Sequence, residues 1–347
     1  METALTAGRR FRTPALALLG MLVVVLALAG LGLGPVGIAL PDLLATLAGG
    51  GTPAESAIVW QIRLPRVLLG LATGAALALA GAALQGVLRN PLADPGLIGV
   101  TGGASMGAVA TIVLGGAVAG ELPELLRPWM LPIAAFLGAG LVIAFVFAVA
   151  KRGGETSVAT LILAGVAVNA IAGAIIGALV YVSDDSQLRD LTFWTMGALG
   201  GSGWTLVLVA GAFVVAALPA LLATARDLDL FQLGERAAFH SGLDVERSKR
   251  AIGLATAVAV GAVTAAAGPI GFIGLVAPHL ARLALGARHA ILLPASALIG
   301  MALVLAADLA VRLAVPPAEP PIGLATSLIG GPFFLWLILR SRTVRHA

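Results

Sequence analysis

Long uninterrupted runs of apolar residues recur along the whole chain, and they limit its possible folds more than any other feature. A helix that crosses a bilayer needs about 20 mostly apolar residues, whereas a strand of a membrane barrel alternates apolar and polar residues. The runs here are continuous and rich in Leu, Ala and Val, so they predict transmembrane helices. Only 11% of the residues are charged, against about 25% in soluble domains. The expected class is therefore an all-α polytopic membrane protein.

About ten spans are predicted, joined by short loops in one transmembrane domain that covers residues 1–347. Glycines interrupt several of the runs and leave their edges open by a few residues. The predicted intervals are 14–34, 64–86, 92–114, 130–150, 157–181, 203–224, 248–267, 272–286, 290–313 and 321–340.

The positive charges predict how the chain is oriented. With a cytoplasmic N-terminus and an even number of spans, most Lys and Arg residues fall in loops on the inner side. The exceptions are Arg63, Arg66, Arg127, Arg189 and Arg312. Since cytoplasmic loops of membrane proteins are enriched in Lys and Arg, both termini are expected in the cytoplasm. The same enrichment explains the net charge of +4 without a nucleic-acid partner.

Two similar short stretches indicate an internal repeat. Residues 95–100 read PGLIGV and residues 269–276 read PIGFIGLV, and each opens a short, glycine-rich span. In the predicted orientation the two stretches run in opposite directions. Similar units of opposite direction are typical of inverted-repeat transporters, so spans 2–5 and 7–10 are predicted to form such a repeat.

One segment past the middle of the chain, residues 226–248, is unusually polar for such an apolar sequence. Its centre, Leu233–Leu243, predicts a short helix over Gly234–His240 that ends at Ser241 and Gly242. A water-exposed helix between two spans is a surface for a soluble partner. The chain itself lacks the GxxxxGK[ST] motif that binds nucleotide phosphates, and neither of its two lysines follows a glycine. It is therefore not expected to be an enzyme.

The strongest motif is QGVLRNPLADPGLIGVTGGASMG, residues 85–107. It resembles the signature of FecCD-type permeases of ATP-binding-cassette (ABC) importers, which take up vitamin B12, iron–siderophores and haem. The similarity extends over about residues 58–340, and the outer segment QLRDLTFWTMGALGG, residues 187–201, is most similar to haem permeases. Further stretches match in the same order: RLPRVLLGLATGAALALAG at 63–81, LGERAAFHSGL at 233–243, GPIGFIGLVAPHLARL at 268–283 and EPPIGLATSLIGGPFF at 319–334.

The resemblance implies a permease subunit of a bacterial inner membrane that moves haem from periplasm to cytoplasm by alternating access. It implies a homodimer, two ATPase subunits that bind ATP and Mg²⁺, and a periplasmic binding protein. The chain itself is expected to hold no cofactor and no metal ion, and haem would be its cargo. Import of an iron–siderophore or of cobalamin by the same mechanism is the alternative. A proton-coupled secondary transporter, which needs no partner, is a more distant one.

The resemblance also assigns roles to particular residues. The arginines at the predicted outer ends, Arg63, Arg66 and Arg312, would meet acidic residues of the binding protein; the alternative is that they only extend from the span ends toward water. The cytoplasmic gate would consist of Asn90, Leu92, Thr156 and Ser157. The ATPase would bind at Leu233, Gly234, Glu235, Arg236, Ala237, Phe239, His240, Gly242 and Leu243.

Two further charged groups have open interpretations. Arg189 lies in a polar outer segment that predicts a helix over the mouth of the path, where it would meet the cargo or pair with Asp185 or Asp190. Asp308 and Arg312 are spaced i, i+4 near the end of a span. An ion pair between them would reduce the cost of both charges, and we expect this structural role rather than proton transport along Asp308.

Overall fold

The computed structural model describes residues 2–153, 155–201, 203–316 and 318–343, and its regular structure is almost entirely helical. Arg345, which the orientation argument places in the cytoplasm, lies outside the described residues. The only strands in those ranges are β1 (Lys151–Arg152) and β2 (Glu155–Thr156), an antiparallel pair between two long helices. The helices are α1 (Glu2–Gly32), α2 (Leu40–Leu47), α3 (Pro53–Ala57), α4 (Leu64–Leu88), α5 (Val100–Leu114), α6 (Gly116–Ala119), α7 (Met130–Ala150), α8 (Val158–Tyr181), α9 (Asp185–Thr195), α10 (Trp204–Ala223), α11 (Ala225–Phe231), α12 (Glu235–His240), α13 (Val245–Ala267), α14 (Ile273–Leu285), α15 (His289–Ala314) and α16 (Ile322–Thr343).

Each of the ten predicted intervals contains one long or apolar helix, and the predicted all-α membrane class is confirmed. Two of these helices, in the third and eighth intervals, are shorter: Val100–Leu114 and Ile273–Leu285. The exact number of crossings and the side of each terminus stay predictions. The segments long and apolar enough to span a bilayer within the described ranges are Thr13–Gly32, Pro53–Leu88, Arg127–Ala150, Val158–Tyr181, Trp204–Ala223, Val245–Ala267 and His289–Ala314.

The third span begins later than predicted, at Val100 and not at residue 92. Arg89 ends α4 in the left-handed region, with φ 48°. The Asp94 carboxylate then accepts a hydrogen bond of 2.8 Å from the Gly96 amide and caps a single 3₁₀ turn, Pro95–Ile98. Gly99, at φ 87°, ends that turn. Asp94 therefore caps the 3₁₀ turn, and the α-helix begins only after the left-handed glycine.

Helix α4 is the centre of the fold, and nearly every residue of its second half is buried. Glycines let it approach its neighbours at backbone distance, because a side chain there would collide with the facing main chain. A Cβ atom at Gly74 would lie 2.4 Å from the Gly300 carbonyl oxygen of α15, and one at Gly81 would lie 2.0 Å from the Gly274 carbonyl oxygen of α14.

A second pair of helices meets in the same way. A Cβ atom at Gly103 of α5 would lie 2.4 Å from the Gly138 carbonyl oxygen of α7. Close glycine contacts thus join α4 to α14 and α15, and separately join α5 to α7.

The two stretches of the predicted repeat share a local structure. Gly99 precedes α5 with φ 87°, and Phe272 precedes α14 with φ 68°. In each case a left-handed residue follows a short proline-containing segment and precedes one of the short apolar helices. The inverted repeat as a whole stays a prediction.

Candidate functional site

The polar segment predicted to meet a soluble partner forms a short helix between two glycines. Helix α12 begins after Gly234, at φ 99°, and ends before Gly242, at φ 85°. The Asp244 carboxylate accepts a 2.9 Å hydrogen bond from the Arg247 amide and starts α13 one residue later. The predicted helix–glycine–helix pattern is therefore confirmed, and α11, which the sequence did not indicate, precedes it.

One face of this segment is apolar and open to solvent. Leu233 is 68% exposed and Phe239 66% exposed, whereas Ala238 is buried and fixes α12 to the rest of the fold. Contiguous exposed apolar surface that is rimmed by polar residues is typical of a protein interaction site. The helix borders a concavity of ≈ 900 Å³, which we name the α12 concavity. It is lined by Glu155, Glu235, Arg236, Phe239, His240, Gly242, Leu243, Asp244, Val245 and Glu246.

The predicted gate residues form two separate pairs. The Asn90 side-chain oxygen accepts a 3.0 Å hydrogen bond from the Leu92 amide in the turn after α4. Ser157 caps α8, accepting a 3.3 Å hydrogen bond from the Thr160 amide. Thr156, beside it, is buried. No hydrogen bond in the described ranges joins the Asn90 pair to the Thr156 pair, so the gate stays a prediction.

Thr156 is instead tied to the start of α13. The Thr156 amide and hydroxyl donate hydrogen bonds of 2.8 and 2.6 Å to the two carboxylate oxygens of Glu246. Lys249, one turn further along α13, donates to the Thr156 carbonyl oxygen at 2.8 Å and to the Glu235 carboxylate, also at 2.8 Å. The sequence argument missed Lys249 and Glu246; their i, i+3 spacing at the start of an apolar helix was the available signal.

The three arginines predicted to meet a binding protein lie together, but they are buried. Arg63 donates to the carbonyl oxygens of Leu31, at 2.7 Å, Gly32, at 2.9 Å, and Val36. The Leu31 and Gly32 carbonyl groups lie in the last turn of α1, and that of Val36 lies just beyond it. Arg63 therefore satisfies acceptors that the end of the helix leaves free.

The other two arginines share one carboxylate. Asp308 is 2% exposed, and its oxygens lie 2.9 Å from Arg66 Nε and 3.1 Å from Arg312 Nε. Arg66 also pairs with Glu319, and Arg312 donates to the Gly30 carbonyl oxygen at 3.1 Å. We name Arg63, Arg66, Asp308, Arg312 and Glu319 the buried arginine cluster.

The predicted Asp308–Arg312 ion pair is confirmed. It is part of a larger set of contacts that joins α1, α4 and α15. The docking role of the three arginines stays a prediction, which this geometry does not favour, because all three side chains are buried and bind groups of the chain itself.

The outer segment with Arg189 is helical, as predicted. Asp184 caps α9, accepting hydrogen bonds of 2.9 Å from the amides of Gln187 and Ser186. These hydrogen bonds, that from Gln187 above all, hold the pKa of the Asp184 carboxyl below its usual value. Arg189 is exposed, and in the described part of the chain it forms no ion pair with Asp185 or Asp190. Arg189 thus presents its guanidinium to solvent with no ion-pair partner among the described residues, and its place at the mouth of the path stays a prediction.

A second polar site that the sequence argument missed lies where α4 ends. Arg282 donates a 2.9 Å hydrogen bond to the Gln85 side-chain oxygen, and Gln85 in turn donates to the Gly274 carbonyl oxygen at 3.2 Å. His289 Nδ1 lies 2.7 Å from Asp229 of α11. These contacts fix α14 and α15 to α4 and to α11. A polar Gln inside an apolar span was the signal for the first of them.

These observations define a class of protein: a polytopic, all-α membrane protein. Its residues Leu233–Leu243, with α12 at their centre, form a partly exposed segment that we name the α12 platform. The described residues hold no group of three or more His, Cys, Asp or Glu arranged to bind a metal ion. Residues 21–340 match the FecCD transport family. The chain belongs to this family.

Similar proteins of known designation agree with this membership. The hemin transport system permease protein of Yersinia pestis is 44% identical over 329 residues, which is 94% of this chain and 97% of the relative. The cobalamin import system permease protein of Halobacterium salinarum is also 44% identical, over 87% of this chain and 78% of the relative. The family and these relatives show that the chain is a permease of an ABC importer, and with its apolar helices they place it in the inner membrane.

A solved structure has the same fold. It is described as an inward-facing conformation of a metal-chelate type ABC transporter, and it is 32% identical to this chain. The TM-score is 0.84, and the match covers 94% of this chain and 99% of the other.

Proposed function

We propose that this permease imports haem as a homodimer, with two ATPase subunits on the cytoplasmic side and a periplasmic binding protein outside. The hemin permease of Yersinia pestis supports haem as the cargo, because the similarity covers nearly the full length of both chains. The dimer and the partners are supported by the family and by the transporter structure of the same fold.

The α12 platform is the observation on which the proposed ATP coupling rests. It presents Leu233 and Phe239 to solvent beside the α12 concavity, and the chain has no nucleotide-binding motif of its own. A soluble ATPase therefore docks here, and closure of the ATPase dimer displaces α12. The displacement reaches the spans and opens or closes the gate formed by the Asn90 and Thr156 pairs.

Arg189 is the proposed contact for the cargo at the outer mouth. Its exposed guanidinium suits the carboxylate of a haem propionate, because a guanidinium binds a carboxylate through two parallel hydrogen bonds. Gly, Ala and Leu predominate in the spans, and an apolar path of this kind suits a flat macrocycle without ligating its iron.

The test is uptake by the reconstituted permease–ATPase complex in lipid vesicles, with the binding protein supplied empty or loaded with haem, an iron–siderophore or cobalamin. Haem-specific uptake that requires ATP is the expected result, with Arg189→Gln reducing uptake of haem. Equal haem uptake without ATP would overturn the coupling mechanism. Arg127→Gln is the matched control, because Arg127 is another exposed arginine of the predicted outer side.

Cobalamin is the second candidate cargo, supported by the 44% identity to the cobalamin permease of Halobacterium salinarum. Cobalamin uptake in the same assay, without haem uptake, would replace the haem assignment and retain the ATP coupling. A proton-coupled mechanism gains no support from the structure, because Asp308, its candidate acid, is held between Arg66 and Arg312.

A further inference from the structure

Lys249 is a buried cation at the start of α13, five residues into the helix. Only 2% of its surface is exposed, and a lysine is almost never buried to this extent unless it is paired. Its ammonium group carries three N–H donors. They face the Thr156 carbonyl oxygen at 2.8 Å, Glu235 at 2.8 Å and Glu246 at 3.6 Å.

The three partners of Lys249 belong to different elements. Glu235 is the first residue of α12, Thr156 ends β2 at the foot of α8, and Glu246 lies in the first turn of α13. Glu246 also binds Thr156 through two hydrogen bonds. Lys249 therefore connects α12 to the foot of α8. Because Glu246 contacts both Lys249 and Thr156, these three residues form a closed ring of polar contacts.

Side-chain contacts, and not the adjoining backbone, fix the orientation of α12. The helix has only six residues, and left-handed glycines, Gly234 and Gly242, flank it on both sides. Glycine has more backbone freedom than any other residue, so the adjoining chain does not fix the orientation of a helix flanked by two glycines. Side-chain contacts, with the buried Ala238 and the Glu235–Lys249 ion pair among them, fix its direction instead.

We propose that Lys249 is the positioning residue that transmits a displacement of α12 to the foot of α8 and thereby to Thr156. This inference rests on the proposed docking of an ATPase at α12. When a partner moves α12, Glu235 carries Lys249 with it, and the Thr156 carbonyl group follows because it accepts from the same ammonium group. Without the ammonium group, α12 moves and the foot of α8 does not.

The test replaces Lys249 with methionine in the reconstituted complex and measures haem uptake and ATP hydrolysis together. Methionine fills the space of the lysine side chain without its charge. Glu246 keeps its hydrogen bonds to Thr156, and Glu235 is accessible to water, so the fold does not depend on the ammonium group. We expect the amount of haem moved per ATP hydrolysed to fall roughly tenfold, as for the loss of one hydrogen bond to a charged group.

The matched control is Lys151→Met, the same substitution at the chain's other lysine. Lys151 is exposed and pairs with Thr156 only through the backbone of the β1–β2 hairpin. The ratio of haem to ATP should stay at the wild-type value in this variant. Lys249→Arg should recover part of the ratio, which a general packing defect would not explain. A wild-type ratio in a folded Lys249→Met complex would overturn the proposal.

A second measurement does not depend on how the variant folds. The chain contains no cysteine, so spin labels at Lys151→Cys and Ser241→Cys report the distance between the β1–β2 hairpin and the end of α12 in an otherwise unaltered permease. We expect this distance within one subunit to stay constant through the nucleotide cycle. A change in the distance with nucleotide would show that α12 moves without the foot of α8, and would refute the proposal. If the wild-type permease bound no ATPase, that result would contradict the proposed docking at α12 itself, and it would be seen before any variant is compared.

Discussion

Replacing Asp308 with asparagine should destabilise the fold where α1, α4 and α15 meet. The carboxylate is 2% exposed and serves Arg66 and Arg312 at the same time, at 2.9 and 3.1 Å. Asparagine has nearly the same shape, but it retains only one acceptor oxygen and no charge. One guanidinium therefore loses its acceptor, and the buried arginine cluster gains one unit of uncompensated positive charge.

The expected cost can be worked from these contacts. A hydrogen bond to a charged group contributes about 1.5–3 kcal/mol, and breaking a buried ion pair by removing one partner costs about 3–5 kcal/mol. Because Glu319 still pairs with Arg66, and carbonyl groups still bind Arg312, the lower end of this range applies, about 3 kcal/mol. That corresponds to a fall in Tm of about 4 °C for a chain of 347 residues, because the entropy of unfolding is about 2.1 cal/mol/K per residue.

Thermal unfolding of the detergent-solubilised permease measures this change, with Asp185→Asn as the control. Asp185 is exposed on α9, and the same substitution there should change the stability by less than about 0.5 kcal/mol. A Tm of Asp308→Asn within the error of wild type would refute the structural role of the cluster. If a variant with wild-type Tm also lost the stimulation of ATP hydrolysis by the binding protein, the arginines would be docking residues.

Three further predictions concern the helix contacts, the platform and the outer helix. Gly74→Ala should cost about 1–3 kcal/mol, because its Cβ would lie 2.4 Å from a backbone oxygen; Gly211→Ala, at an open position of α10, should not lower the Tm. Phe239→Ala should weaken binding of the ATPase subunit by about 1–2 kcal/mol in a pull-down titration, with an unchanged Tm, whereas equal binding would remove Phe239 from the interface. The lowered pKa of Asp184 means that its cap on α9 is complete above the ordinary Asp pKa of about 3.9 and is lost as the pH falls through the folded value. The protection factors of the α9 amides against hydrogen exchange should therefore be constant between pH 6 and pH 8, and Asp184→Ala should lower them throughout that range.

The sequence was sufficient for the class of fold because each apolar run is long enough to require a helix in lipid. It also predicted the α12 helix, since glycines mark both of its ends, and the Asp308–Arg312 pair, since the i, i+4 spacing brings the side chains together. It could not predict the start of α5, because one left-handed glycine, Gly99, decides where the helix begins.

Contacts between distant parts of the chain were beyond the sequence argument. Arg66 and Glu319 are far apart in sequence, and only the packing of α4 beside α15 brings them together. The same holds for Lys249, whose partners on α12 and beside α8 come from separate loops. For the three arginines, the pattern of charges predicted that they lie at the same end of their spans. It could not predict whether their side chains face solvent or the interior of the fold.

The glycine contacts of α4 have a mechanical consequence for any transport cycle. Helices whose main chains are in contact cannot slide or rotate past each other without first separating. We therefore expect α4, α14 and α15 to move as one rigid group. For the same reason, the contact between Gly103 and Gly138 should make α5 and α7 a second rigid group. We expect the proposed change of access to occur by movement of these two groups of helices relative to each other, and not by bending of any single helix.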